Sequence, residues 1–144
     1  MLLPSGCHLR EGIDVVDFKR VHAWLASSYW SPGIDRARVE RGAQNSALVL
    51  SAFDDAGSQI GFLRVVSDKT RFAYLCDVWI DEAHRGRGIA KAMVQHALDH
   101  PDFITITNWT LGTKDAQGVY AALGFRDIRE PGAYPNTWMV RRSS

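Results

Sequence analysis

The stretch Val78-Trp79-Ile80-Asp81-Glu82-Ala83-His84-Arg85-Gly86-Arg87-Gly88-Ile89-Ala90-Lys91-Ala92-Met93 constrains the fold more than any other. An apolar run with strand character enters it and a helical pattern leaves it. The loop between them holds two glycines and two arginines. A strand end is therefore set directly against a helix N-terminus. The first N–H groups of a helix have no intrahelical acceptor, and the helix dipole adds partial positive charge there. Such a loop is a place to hold phosphate. Gly86 and Gly88 remove side chains that would keep an anion off the backbone, and Arg85 and Arg87 add positive charge. The plainer reading of the same residues is a solvated basic turn that caps a helix.

Composition narrows what surrounds this loop. The chain has 144 residues, 46% of them hydrophobic, and a formal net charge of +1. That length predicts one domain over residues 1–144, and such a domain buries about 70% of its unfolded surface. The near-neutral balance gives no broad case for nucleic acid or an anionic membrane. Cys7 and Cys76 make neither a disulfide framework nor a zinc set. No apolar run approaches the roughly 20 residues of a membrane span. The start, Met1 to Cys7, lacks the basic and apolar regions of a signal peptide, so the expected location is the cytoplasm.

Along the chain, His8 to Gly12 reads as a short strand. Asp14 reads as the N-cap of a helix over about 15–27, with Val15, Phe18, Val21 and Leu25 at helical spacing. Ser27 to Gly33 is a loop. Asp35 caps a second helix running to about Ala43, with Ile34 and Val39 as a hydrophobic staple. Ala47 to Phe53 and Gln59 to Ser67 form a hairpin around Asp54-Asp55-Ala56-Gly57-Ser58. Phe72 to Ile80 is nearly continuous in apolar residues, which predicts a strand buried on both faces. The helix after the phosphate loop runs to about His100 and Pro101 ends it. Phe103 to Leu111 alternates as a strand. A short helix spans about Asp115 to Leu123, with Asp115 as its cap and Gly124 closing it. Phe125 to Arg129 and Thr137 to Arg142 read as two final strands around a Pro131-Gly132 turn. The fold class is α/β, a mixed, largely antiparallel sheet with a central strand–helix–strand crossover and helices on both faces.

Two better-known phosphate loops are excluded. No Gly-Lys pair exists for a P-loop, and Lys91 stands where G-x-G-x-x-G needs its third glycine. What fits is R-x-x-G-x-A over Arg85 to Ala90. A second motif follows at Thr113-Lys114-Asp115-Ala116-Gln117-Gly118-Val119-Tyr120-Ala121-Ala122-Leu123-Gly124-Phe125. Many members of the GNAT-type N-acetyltransferase superfamily show Asn-x-x-Ala-x-x-x-Tyr-x-x-x-Gly-Phe here, and Ala116, Tyr120, Gly124 and Phe125 fall in that register. Thr113 stands where Asn is common and brings one donor instead of two. With both motifs on the right elements and in the right order, the chain resembles that superfamily over roughly Ala47 to Val140.

The resemblance implies acetyl transfer from acetyl-CoA to a primary amine of a small molecule or peptide by direct attack, with no metal. It implies that Arg85, Gly86, Arg87, Gly88, Ile89 and Ala90 anchor the CoA pyrophosphate. The pantetheine arm would lie along Val78, Trp79 and Ile80, with Thr113 as a further contact. A backbone N–H, that of Val78, would polarise the thioester carbonyl; such a donor is worth about 3–4 kcal/mol. Tyr120 matches the family's general acid for the leaving thiolate, a free thiol having a pKa of about 8.5. Homodimers are frequent in the superfamily.

The residues themselves add three readings. Asp77 is a charge in an otherwise apolar strand, where it needs a partner. It is a general base, acting directly or through water, a ligand for the substrate ammonium, or a structural pair with an arginine such as Arg64. Period-2 alternation places it on the face of Leu75 and Trp79, opposite Cys76 and Val78. Tyr29 and Trp30, on the loop between the first two helices, form a substrate wall or plug the core. His84 fixes the loop or is a surface turn residue; His96 and His100, at i and i+4, have metal-ligand spacing but no third ligand nearby, and read as a pair on one helix face. Two other functions compete with the enzyme reading. One is a catalytically weak acyl-CoA-binding module on the same fold. The other is a nucleic-acid contact at His84 to Arg87, which the net charge disfavours.

Overall fold

Period-2 apolar runs build the sheet, and the computed structural model describes residues 3–143 of the chain. Met1 and Leu2, part of the N-terminal stretch read above, and Ser144 lie outside the described residues. The chain divides into two compact units, one running to Gly112 and the other starting at Thr113.

The first unit carries strands β1 (His8–Glu11), β2 (Leu48–Phe53), β3 (Gln59–Ser67), β4 (Phe72–Ile80) and β5 (Asn108–Thr110). It also carries helices α1 (Phe18–Ala26), α2 (Arg36–Gln44) and α3 (Ile89–Leu98). The sheet follows chain order, β1-β2-β3-β4-β5. The first three pairings are antiparallel; the last, across α3, is parallel. This is the mixed, largely antiparallel sheet with a central crossover that the sequence predicts.

Helices cover both faces. Val49 and Phe62 pack with Val21 and Leu25 of α1 and Val39 and Ala43 of α2, and the partly buried Ile34 packs against this cluster. On the opposite face α3 comes so close to β3 that a Cβ on Gly61 would stand 2.9 Å from Met93 Sδ. Gln59 is fully buried and fixes the start of α1. Its Oε1 accepts from Asp17 N at 2.7 Å, while its Nε2 donates to Ser51 Oγ and Gly61 O at 3.0 Å.

Several element boundaries differ from expectation. Asp17, not Asp14, caps α1 by accepting from Arg20 N; Asp14 lies in a preceding 3-10 turn, Ile13–Val15. Helix α3 stops at Leu98 because His100 begins a 3-10 turn over Pro101–Phe103 and accepts from Asp102 N. That turn and the next, in which Ile106 N donates to Phe103 O at 3.0 Å, take up the start of the expected strand 103–111. Phe103 is plugged into the core and Ile104 points outward, so only Asn108–Thr110 pair with β4.

The second unit contains α4 (Gln117–Ala121). Its first turn is held by Thr113, whose Oγ1 accepts from Ala116 N at 3.0 Å; Asp115 does not cap it. The two expected final strands are absent among the described residues. In 125–129 a local turn wins: Asp127 Oδ1 accepts from Arg129 N at 2.9 Å, and Glu130 N donates to Asp127 O at 3.0 Å. In 137–142 no ladder partner exists, and Trp138, Met139 and Val140 are exposed.

Candidate active site

Strand β4 is where the site begins. Its parallel pairing with β5 runs only from Phe72↔Asn108 to Tyr74↔Thr110. From Leu75 onward β4 is paired, among the described residues, on the β3 side alone. On that side Phe62 faces Trp79 and Arg64 faces Cys76, so Asp77 and Val78 stand against the single residue Leu63. This is a β-bulge, and Asp77 sits in it with φ +57°. Asp is among the few non-glycine residues that accept the left-handed region readily.

The bulge overturns the alternation drawn from the sequence. Asp77 does not share the face of Leu75. Its Oδ2 accepts from Arg64 Nε at 2.7 Å and its Oδ1 from Trp30 Nε1 at 2.9 Å. Leu75 pairs with Val65 and Trp79 with Phe62, on opposite faces, because the extra residue shifts the register by one. Nor is β4 buried on both faces. Tyr74 is exposed and Cys76 to Trp79 are half-buried. Of the three readings of Asp77, the pair with Arg64 exists, with side chains 22% and 14% exposed. Arg64 Nη1 also reaches Gly42 O at 3.4 Å and Ser46 Oγ at 3.3 Å, tying the bulge to the end of α2. Burial pushes the neighbouring Cys76 thiol up to about 12, which keeps it a neutral, poorly nucleophilic group.

Trp30 links this pair to an aromatic series. Tyr29 and Trp30 meet edge to face at 5.0 Å, and Trp30 lies 5.9 Å from Trp79. Tyr29 is 47% and Trp30 42% exposed, so neither plugs the core. The Trp79 Nε1 donor is buried and has no partner.

At the end of β4, Asp81 N donates to Ile60 O at 2.8 Å, and a 3-10 turn, Glu82–His84, leads to the loop. His84 does fix it: its Nδ1 lies 3.1 Å from Asp81 Oδ2. Arg20 of α1 approaches Asp81 Oδ1 at 3.6 Å. Arg85 is anchored, not mobile. Its Nε donates to Ile80 O at 2.9 Å and its guanidinium lies 4.9 Å over the Trp79 ring. Arg87 is exposed and makes no ion pair among the described residues.

Gly86 and Gly88 have φ of +77° and +81°, with nothing within 4 Å of either would-be Cβ. They turn the loop into α3 by a path that other residues enter only at a cost. Helices α1 and α2 are capped by Asp17 and Asp35; α3 has Gly88 at its cap position and no capping side chain. The open N–H groups, the glycine-bent approach, the orphaned indole donor and the unpaired side of β4 fit a phosphate-bearing ligand with an amide-containing arm.

Tyr120 lies on α4 of the second unit, its ring 5.9 Å from that of Phe125, with Phe125 N donating to Tyr120 O at 3.1 Å. Thr113 spends its oxygen on Ala116 N. The His pair has a partner that sequence spacing could not reveal: His96 Nε2 and His100 Nε2 each lie 2.9 Å from a Glu11 oxygen. The links Trp30–Asp77, Arg20–Asp81 and Glu11–His96 were likewise invisible in the sequence, since each joins distant positions without a motif. No group of three His, Cys, Asp or Glu side chains suited to a metal ion occurs among the described residues, nor does a helix long and apolar enough to cross a membrane.

No curated protein matches the chain significantly. Among solved structures, a Xanthomonas campestris pv. campestris protein assigned to the GNAT family is 34% identical over 96% of both chains, with a TM-score of 0.83. An aminoglycoside acetyltransferase from a soil metagenomic sample is 17% identical over 95% of this chain and 99% of its own, with a TM-score of 0.67. Glucosamine-6-phosphate N-acetyltransferase from Arabidopsis thaliana is 16% identical over 96% and 99%, with a TM-score of 0.65. At those lower identities the likeness is one of fold. Residues 15–125 match the sequence profile of the Acetyltransferase (GNAT) family. A profile match over most of the chain, joined to a strand-end loop of the geometry above, makes this protein a member of the GNAT acetyltransferase family.

Proposed function

We propose that the protein is an N-acetyltransferase that moves an acetyl group from acetyl-CoA to a primary amine of a small molecule or peptide, by direct attack of the amine. The observation that carries this reading is the uncapped N-terminus of α3, reached through Gly86 and Gly88 at the end of a strand left open toward β5. Acetyl-CoA, when bound, supplies the acyl group as a thioester.

The residues that would hold it are Arg85 to Ala90 at the pyrophosphate, chiefly through backbone N–H groups, with Arg87 adding charge. Val78, Trp79 and Ile80 would align the arm, and Thr113 is a further contact. The backbone N–H of Val78, next to the bulge, would donate to the carbonyl oxygen of the acyl group; preorganised donors of this kind are worth about 3–4 kcal/mol. Tyr120 would protonate the departing sulfur, a role supported by its register in the motif Ala116 to Phe125. Asp77 would receive the amine: each oxygen accepts one internal bond, leaving lone pairs to hold the ammonium beside Trp30 and, directly or through water, to take its proton so that the neutral amine attacks. Tyr29 and Trp30 would wall the acceptor site. We read residues 1–144 as one acetyltransferase domain, since the family match over 15–125 continues past Gly112 into the second unit. Its free cysteines suit the cytoplasm.

The test is amine-dependent release of CoA thiol from acetyl-CoA, followed with a thiol reagent over a panel of primary amines. Release above the amine-free rate supports the reading. Firm acetyl-CoA binding without release for any amine would replace it with an acyl-CoA-binding role.

A further inference from the structure

The acceptor side of the site has a composition of its own. Tyr29 and Trp30 present exposed rings from the α1–α2 loop, and Trp79 lies behind them. The Asp77 carboxylate is bonded to the Trp30 indole. Several neighbouring polar groups are committed inside the protein. Ser28 and Ser31 hydroxyls both donate to Leu25 O, at 2.7 and 2.9 Å. His22 Nε2 bonds Ile34 O at 2.9 Å. Arg64 is spent on Asp77 and on the end of α2.

We propose, resting on the acetyl-transfer reading, that the acceptor is a monoamine carried on a flat aromatic or apolar body, an arylalkylamine in chemical class. The argument is one of matching. A polyhydroxylated amine such as an aminosugar needs several unpaired hydrogen-bonding groups, because a hydroxyl taken from water without a partner is penalised. The wall offers ring faces in their place. A polyamine needs several carboxylates, and among the described residues Asp77 is the one that bonds an indole of this wall. An ammonium held by the lone pairs that Asp77 keeps would lie beside these rings, where a cation gains from an aromatic face, and an aryl group would continue the Tyr29–Trp30–Trp79 series in the offset or edge-on contacts that such rings favour.

Two measurements test this. In the first, kcat/KM for phenethylamine, tryptamine, glucosamine and spermidine is compared by thiol release from acetyl-CoA. The arylalkylamines should exceed glucosamine and spermidine by about tenfold or more. Trp30→Ala should remove that preference. Trp30→Phe, which keeps a ring and loses only the indole bond to Asp77, should retain it. Both variants alter an exposed loop residue, and circular dichroism checks their fold. In the second, the Trp30 indole N–H resonance, assigned by its loss in Trp30→Phe, is followed in the protein without acetyl-CoA. Phenethylamine should shift it and glucosamine should not. Preference for glucosamine or spermidine, or a preference that survives Trp30→Ala, would overturn the proposal. A Trp30 shift with phenethylamine but no acetyl-CoA binding would uphold the amine site and overturn the acetyl-transfer reading instead.

Discussion

Asp77 shows how much one residue can hold. It occupies the left-handed region at the bulge, bonds the Arg64 guanidinium, and fixes the Trp30 indole. The substitutions Asp77→Asn and Asp77→Ala separate these roles. Asn tolerates the backbone and can keep the indole bond, but leaves Arg64 half-buried without its countercharge, an expected loss of about 1–3 kcal/mol in chemical unfolding. Ala adds a further cost of about 1–2 kcal/mol for a left-handed non-glycine residue. Equal stability of the two variants would mean that the backbone there is not strained. At Tyr120, Phe should lower kcat by about 10²–10⁴ with little change in KM for acetyl-CoA; an unchanged kcat removes Tyr120 from proton transfer. That Asp77 was exceptional was legible in the sequence, because a charge in an apolar strand demands a partner. The face it takes was not, because a bulge breaks the period on which faces are assigned.

Among the elements, α3 and its loop are the best specified. The Gly86–Gly88 pair, the strand before it and the helical apolar face after it all agree, and the loop forms where the sequence puts it. Gly88→Glu should abolish detectable acetyl-CoA binding in calorimetry. The residue would take an unfavourable φ and bring a negative charge to the phosphate position. Retained affinity would put the phosphate loop elsewhere. Gly61 makes a different demand. An added Cβ would sit 2.9 Å from Met93 Sδ and 3.0 Å from Ile80 Cδ1, so Gly61→Ala should cost about 1–3 kcal/mol by overpacking α3 against β3. Two of the segments misread as strands share one cause, whereas 137–142 lacks a ladder partner among the described residues. Phe103 to Ile106 and Phe125 to Arg129 carry strand-like residues, but local turns give the backbone nearer partners: Phe103 N donates to His100 O and Ile106 N to Phe103 O, and Arg129 N to Asp127 Oδ1.

At the scale of the whole molecule, the sheet order and the two-sided helix cover follow from the order of predicted strands and helices, whereas the long-range polar ties do not. One of these, Glu11 with His96 and His100, joins β1 to α3 and sets an acid limit on stability. The His96 bond, with that of His100, holds the Glu11 carboxyl below its ordinary value. A depressed carboxylate contributes stability above its unfolded pKa and loses it as pH falls through the lower folded value. The group is 44% exposed, so the contribution is about 1 kcal/mol or less. Wild type should therefore exceed Glu11→Gln in melting temperature near neutral pH and converge with it in acid. A gap that persists in acid would assign the effect to packing.

The acetyl-CoA site is the central claim, and calorimetric titration tests it most directly. Acetyl-CoA and CoA are titrated into the purified protein, with dephospho-CoA and ATP as controls. The account predicts micromolar binding of acetyl-CoA and CoA. No binding of either would contradict it and leave the open end of α3 without a ligand.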